Sequence, residues 1–497
     1  TRNDPATEGP TGGPIELDET SAEVYPYVSA IAPSPLNSRL IWAGSADGLV
    51  HYTTDHGAHW TKVALPDLPQ YAEISSIEPS RTAQGTAYLT AQRYMWDDFH
   101  PYVYKTTDYG AHWTSITSGI PDDEYVFVVR EDPRDPRLVF AGTRNSVYVS
   151  FNGGNAWEPL ALNLPGVQVR DIAVNARQGE VAIATHGRAF WVLDNLAFLE
   201  DAQRRGEAAD AASRAALFQP ETAWLTHFAG GSPYPRPETG QNPAFGATVF
   251  FNLPRSYNGT QPATLTFSDA NGRAIHSFNL HRASRQDRVS PERLGAMVPA
   301  EMLASLDRLQ TGAVPGMNKF VWDLRYPRAT EVNGFYTPVA AGGEEDTLDG
   351  PTIVPGNYRV TLRYDGRSFT ETLHVALDPN LHPAPGGLAA RFALQRNIWN
   401  TLDEMDKAIN AALARRAALS ADKRAALDTE IDKLVNLKTH SSEGPLSTGT
   451  RTRDHLAYLL SDTGYAYDAP TPAQYAVYDQ LRAEALAGEA RLLELSH

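Results

Sequence analysis

The sequence predicts a mainly β chain with a helical C-terminal end, on three observations. One short turn motif occurs three times between residues 53 and 157. Strand-length apolar runs, broken by two-residue turn signals, resume near residue 218 and continue to about residue 380. Beyond that point apolar residues fall three and four apart, which is the period of a helix face rather than of a strand.

The motif is clearest in Thr53-Thr54-Asp55-His56-Gly57-Ala58-His59-Trp60. It comes back as Thr106-Thr107-Asp108-Tyr109-Gly110-Ala111-His112-Trp113, and in weaker form as Ser150-Phe151-Asn152-Gly153-Gly154-Asn155-Ala156-Trp157. The acidic or amide positions are 53 residues apart (108 − 55) and then 44 (152 − 108). Each copy fits a hairpin turn: the Asp or Asn side chain accepts backbone N–H groups, and Gly takes the φ > 0 position. The Trp then has apolar surface to bury between neighbouring units. An apolar run precedes each copy: Leu40-Ile41-Trp42-Ala43-Gly44, Thr86-Ala87-Tyr88-Leu89 and Leu138-Val139-Phe140-Ala141-Gly142. A fourth run, Val181-Ala182-Ile183-Ala184-Thr185, leads into His186-Gly187-Arg188 with no motif after it. Short-strand units repeating at roughly 40–50 residues are propeller blades.

This pattern resembles the Asp-box, or BNR, repeat shared by sialidases, xyloglucanase-type two-propeller hydrolases and sortilin-type receptor propellers. The similarity is closest to large exported bacterial proteins with sortilin-like propellers, often labelled glycosyl hydrolases from the repeat alone. It covers about Tyr25 to Leu196 and is specific for fold, not for reaction. In that superfamily the Asp-box lies in a turn on the outer side of the blade, away from the ligand face. The resemblance therefore implies structural roles for Thr53, Asp55, Gly57, Trp60, Thr106, Asp108, Gly110, Trp113, Ser150, Asn152, Gly154 and Trp157. It also implies a secreted, periplasmic or cell-surface location.

The 497 residues leave room for about three domains. There is no cysteine, which excludes disulfides and thiolate metal sites. No apolar run approaches the ~20 residues of a membrane helix. A formal net charge of −16 argues against nucleic-acid binding by bulk electrostatics. The first residues, Thr1-Arg2-Asn3-Asp4-Pro5, lack signal-peptide character and an initiator Met.

In order, residues 1–22 have linker composition, and blades are expected over 23–195. That span holds fewer than four blades at the observed repeat, whereas closed propellers have about 4–8. An open arc leaves strand edges and core uncovered. The expectation is a partial propeller of about 3–4 blades, completed by an N-terminal propeller segment or a separate chain. Residues 196–217 are expected as a helical connector. Over 218–380 an immunoglobulin- or fibronectin-like β-sandwich is the economical reading, with hairpin turns at Asn271-Gly272 and Asp365-Gly366. A helical bundle is expected over 381–497. Phe392, Gln395, Ile398, Leu402, Met405, Ile409 and Leu413 line one face of its first helix. Ser420 caps a second helix, and Thr471-Pro472-Ala473-Gln474 starts the last.

Metal-protease, phosphate-loop, nucleophile-elbow and dinucleotide patterns are missing. His56 and His59 sit on a tight turn beside Trp60 and read as turn histidines. The insertion Gln92 to His100 mixes charge with aromatics and nominates Arg93, Trp96, Asp97 and Asp98 as ligand contacts, against a structural Arg93–Asp98 ion pair. In a strand Asp97 and Asp98 would face opposite ways, which weighs against an acid/base pair. His186 and Arg188, at the end of the last blade's apolar strand, are the other candidates, against simple packing. No cofactor is expected; the acidic loop Glu344-Glu345-Asp346-Thr347-Leu348-Asp349 supplies oxygens of the kind calcium takes, but matches no defined calcium motif. No three arginines or two acids can be nominated for sialidase or xyloglucanase chemistry. The leading expectation is a binding or scaffold protein for a peptide or glycan. The alternative is a glycoside hydrolase sharing its catalytic acids with an N-terminal half.

Overall fold

The computed structural model describes residues 27–205, 214–226, 243, 245–284, 310–335, 348–437, 449–464 and 466–496. The chain divides into two units, residues 1–209 and 210–497.

In the first unit each sequence repeat folds as one antiparallel meander. Blade 1 comprises β1 (Val28–Pro33), β2 (Ile41–Ser45), β3 (Val50–Thr53) and β4 (Thr61–Val63). Blade 2 comprises β5 (Glu73–Pro79), β6 (Ala87–Arg93), β7 (Asp98–Thr106) and β8 (Thr114–Ser115). Blade 3 comprises β9 (Val126–Glu131), β10 (Val139–Thr143), β11 (Val147–Ser150) and β12 (Glu158–Pro159). Blade 4 has three strands, β13 (Val169–Asn175), β14 (Glu180–Thr185) and β15 (Phe190–Leu193). First strands lie side by side in chain order, β1 on β5, β5 on β9 and β9 on β13. The result is an arc of propeller-type blades. A helix, α1 (Leu196–Arg205), follows blade 4 within this unit.

Small residues on the second strands let the blades approach. A Cβ on Gly44 would come within 2.4 Å of the Ile74 side chain, and one on Gly142 within 2.8 Å of Val169. Every first strand also carries a register shift at the same place, leaving Ser29, Ser75, Phe127 and Arg170 as the extra residues. These residues stitch one blade to another. Ser29 Oγ donates to the Ile74 carbonyl (2.7 Å) and Ser75 Oγ to that of Val126 (3.4 Å), while the Arg170 guanidinium lies 4.0 Å from the Phe127 ring centre.

The motif turns repeat their bonding. Thr53 Oγ1 donates to Asp55 Oδ1 (2.7 Å) and accepts the Gly57 N–H (3.0 Å), and Asp55 accepts the His59 N–H (2.9 Å). Thr106, Asp108, Gly110 and His112 do the same, as do Ser150, Asn152, Gly154 and Ala156. The turn demands φ > 0 at two consecutive residues rather than at Gly alone: His56-Gly57, Tyr109-Gly110 and Gly153-Gly154. Trp113 meets Trp42 of blade 1 edge-on, and Trp157 Nε1 donates to the Ile116 carbonyl of blade 2 (2.6 Å). Each of these Trp side chains therefore docks on the preceding blade.

In the second unit, β16 (Ala216–Leu217), β17 (Ala223–Leu225), β18 (Ala247–Leu253), β19 (Ala263–Ser268), β20 (Ala274–Arg282), β21 (Gly312–Ala313), β22 (Gly316–Trp322), β23 (Gly356–Tyr364) and β24 (Arg367–Leu377) form two sheets over one core. Their orders are β16-β18-β22 and β17-β24-β23-β19-β20-β21. Phe267 of the larger sheet stacks on Trp322 of the smaller, with centroids 4.3 Å apart. The pairs β17–β24 and β20–β21 are parallel, whereas immunoglobulin sheets are antiparallel. The expected Asp365-Gly366 turn closes β23 onto β24, both residues at φ > 0 as a two-residue hairpin requires. Ala216-Leu217, expected at the end of a helical connector, are instead β16, and their burial on the sandwich core overrides the alanine-rich local signal.

Helices α2 (Gly387–Arg415), α3 (Ala421–Leu434), α4 (Thr452–Asp462) and α5 (Pro472–Leu495) close around a second core. Gln395, Ile398, Leu402, Met405 and Ile409 are buried as their spacing predicts, while Phe392 and Leu413 are half-buried. Ser420 caps α3, and Thr471 with Gln474 forms the capping box of α5. Arg453 of α4 and Asp406 of α2 make a fully buried ion pair at 3.0 Å. Burial pushes the Asp406 carboxyl up to about 7, with Arg453 opposing the shift.

Candidate functional site

A β-meander places its turns alternately at its two ends, so the β2–β3-type turns and the blade-to-blade connections share the end opposite the motif turns. Backbone bonds knit that end together in a repeated way. Ala46 N–H donates to the Tyr27 carbonyl (2.9 Å), Arg144 N–H to that of Tyr125 (3.1 Å) and His186 N–H to that of Gln168 (2.9 Å). Val167 N–H adds a bond to the Asn145 carbonyl (3.0 Å). In blade 2 the equivalent residues, Glu73 and Gln92, stay paired in the strand ladder, and Arg93 Nε adds a bond to the Gln70 carbonyl (3.1 Å).

Between blades 2, 3 and 4 this end opens into a cavity of about 390 Å³, whose lining includes Phe99, Tyr125, Arg144, Gln168, His186 and Arg188. The volume falls in the range of about 300–1,000 Å³ usual for ligand pockets. The Arg144 guanidinium lies 5.1 Å from the Phe99 ring centre and 5.9 Å from that of Tyr125, and donates to the Asp123 carbonyl (3.1 Å). Tyr125 stacks on Tyr94 and meets Phe127 edge-on. Burial pushes the Tyr125 hydroxyl up, against the pull of Arg144 and Arg170. Asn145 Nδ2 donates to Glu124 (2.6 Å) and Gln168 Nε2 to Tyr125 Oη (3.3 Å), which fixes the rim. No carboxylate lines the cavity among the described residues. A chain of net charge −16 thus gathers Arg144, Arg188 and His186 at one opening.

Of the residues nominated from sequence, His186 and Arg188 line this cavity and are exposed. Arg93, Trp96, Asp97 and Asp98 sit on the neighbouring β6–β7 turn and do not line it. Arg93 Nη1 pairs with Asp98 Oδ2 (3.4 Å), which also accepts from Tyr102 Oη (2.9 Å). Trp96 is half exposed, stacks on Tyr71 and carries the Arg93 guanidinium 5.3 Å from its ring centre. The strand argument for Asp97 and Asp98 does not apply: a 3₁₀ turn spans Tyr94–Trp96, and Asp97 caps it with φ 58°. Arg144, Tyr125 and Gln168, which also line the cavity, are not nominated by the sequence. The usable signal was register, because Thr143-Arg144 follows Ala141-Gly142 as Ser45-Ala46 follows Ala43-Gly44. No group of three or more His, Asp or Glu suited to a metal ion occurs among the described residues. Glu344 to Thr347 of the acidic loop lie outside them, while Asp349 pairs with Arg328 (3.1 Å).

No family model and no curated protein matches this chain. Solved structures similar to parts of it include the GH74 enzyme of Niastella koreensis, at 15% identity and TM-score 0.26 over 32% of this chain and 26% of that one. YCF48 from Cyanidioschyzon merolae aligns at 18% identity and TM-score 0.27, over 34% of this chain and 54% of its own. The GH74 xyloglucanase from Xanthomonas campestris aligns at 14% identity and TM-score 0.28, over 67% and 50%. The chain thus spans between about a quarter and about half the length of these structures. The blades are defined by the sheets and turns of the chain itself.

Proposed function

We propose that the first unit is the binding arm of an exported propeller scaffold, and that the cavity between blades 2 and 4 takes a carboxylate-bearing peptide or glycan. One observation carries this reading: Arg144, His186 and Arg188 converge beside Phe99 and Tyr125 at an opening with no carboxylate in its lining. Arginines offer paired donors to a carboxylate, and the aromatic rims supply the apolar part of the contact. Further blades, supplied by an N-terminal segment or a separate chain, complete the ring. Export is part of the same reading and is tested by fractionating the producing cells.

The binding test is calorimetric titration with a glutamate-rich peptide and with a uronic-acid oligosaccharide. Charge-assisted hydrogen bonds are worth about 1.5–3 kcal/mol, so Arg144→Ala or Arg188→Ala should weaken binding by about tenfold or more. Added salt should weaken binding as well. Failure of both probes to bind, or unchanged affinity in both variants, contradicts the reading. Glycoside hydrolysis needs two flanking carboxylates, which this lining does not supply, so turnover of the oligosaccharide would point to acids borne on other blades.

A further inference from the structure

The repeat gives each position in one blade a counterpart in the others, and two faces break the pattern. Aligned on the register shift, Val28 corresponds to Ile74, Val126 and Val169, and Ile31 to Ile77, Val129 and Ile172. All six counterparts are buried, on the side of the first strand that meets the preceding blade. Val28 is 55% exposed and Ile31 69%. Trp60 is 45% exposed, where Trp113 and Trp157 are buried. At the far end of the arc Phe190 pairs with Ala184 as Val50 does with Gly44, Val103 with Thr90 and Val147 with Gly142. Those three valines are buried on the side that meets the following blade, and Phe190 is 81% exposed.

We propose that both faces are blade-packing interfaces, occupied by a partner polypeptide made of further blades of the same repeat. This deepens the ring completion within the proposed function and rests on it. The internal interfaces state what each face accepts. The Val28–Ile31 face takes a second strand with a small residue at the place of Gly44, and an apolar wall for Trp60 such as Trp42 provides for Trp113. The Phe190 face takes a first strand with β-branched residues on both sides of a bulge. It also takes one more strand, because among the described residues β15 pairs only with β14 and its outer edge has no ladder partner. A second copy of this chain offers Ala184 at the place of Gly44 but Ala182 where Trp42 forms the wall, and it fails the second demand, because all four strands of blade 1 are used inside that blade.

The test places photo-crosslinking p-benzoylphenylalanine at Ile31 or at Phe190 in the producing cell and sequences the linked peptides. Both sites should link to peptides outside these 497 residues that carry the frame hydroxyl, any, Asp or Asn, any, Gly, any, any, Trp. Links to residues 27–195 of a second copy, or to a protein without that frame, overturn the partner assignment. No links at either site would overturn ring completion itself. Ligand titration is a separate readout, so a cavity that binds neither probe leaves the crosslinking result as it stands. In the 497-residue chain alone, Ile31→Lys should leave the denaturation midpoint in place while Ile77→Lys abolishes the first unit's transition; equal losses overturn the assignment of the face.

Discussion

At one end of the blades three turns repeat one hydrogen-bond pattern almost atom for atom. At the other end the turns share backbone bonds but differ in length and in side chains. The motif turns spend their polar groups on themselves: the hydroxyl, the Asp or Asn oxygen and the backbone N–H groups are matched within eight residues. The opposite turns instead let Arg144, His186 and Arg188 project into a shared opening. Repetition along the chain therefore marks the scaffold, and departure from repetition marks the place where a ligand is read. Two copies of the motif carry a His that resembles a site residue, yet the rings of His59 and His112 each bond their own turn Asp.

The comparison breaks most visibly at the motif Trp, which occupies one sequence position in different surroundings. Trp157→Ala removes a buried indole and its bond to Ile116, and should cost about 3–5 kcal/mol in chemical denaturation. Trp60→Ala, at an exposed face, should stay within about 0.5 kcal/mol of the wild type. Equal losses would show that the motif, not its neighbour, sets the energy.

Next in size is the hydroxyl. Thr106→Val keeps the shape of the side chain but leaves the buried Gly110 N–H without its acceptor, a loss of about 1–3 kcal/mol. Thr106→Ser should recover most of that loss.

The motif was legible in the sequence because its chemistry is local: a turn that satisfies itself within eight residues leaves its whole logic in one stretch. The Asp365-Gly366 hairpin, the helix caps and the α2 stripe were legible for the same reason, whereas Asn271-Gly272 lies inside a longer loop between Ser268 and Ala274 in which only Gly272 has φ > 0. The cavity was only half legible. His186 and Arg188 stood out beside a Gly at the end of an apolar strand, but Arg144 lies 42 residues earlier (186 − 144) and meets them only through blade packing. The parallel pairing of β17 with β24 joins residues about 150 apart in sequence, which no local pattern encodes.

A smaller effect follows from acid. The backbone N–H and ring of His112 hold the Asp108 carboxyl down to about 2, and the backbone N–H of His59, with Thr53, holds Asp55 lower still. Folded values below the ordinary value near 4 mean that this stabilisation is full above about pH 4 and fades as the pH falls toward 2. Melting temperature should decline through that window. Asp108→Asn, which copies Asn152 of the third turn, should flatten part of the decline.

Smallest of all is the expected effect on stability at the opposite end. Arg144→Ala and Arg188→Ala should change the denaturation midpoint by no more than about 0.5 kcal/mol in equivalent free energy, since both side chains are partly or fully exposed. Their cost should appear in binding alone. A large stability loss in either would make the arginines part of the scaffold.

Hydrogen exchange with and without the glutamate-rich peptide tests the division between the two ends most directly. Added peptide should protect residues 144–145, 166–168 and 186–188 and leave the turns at 53–60, 106–113 and 150–157 unchanged. Protection confined to those three motif turns, with the cavity loops exchanging as before, would contradict it.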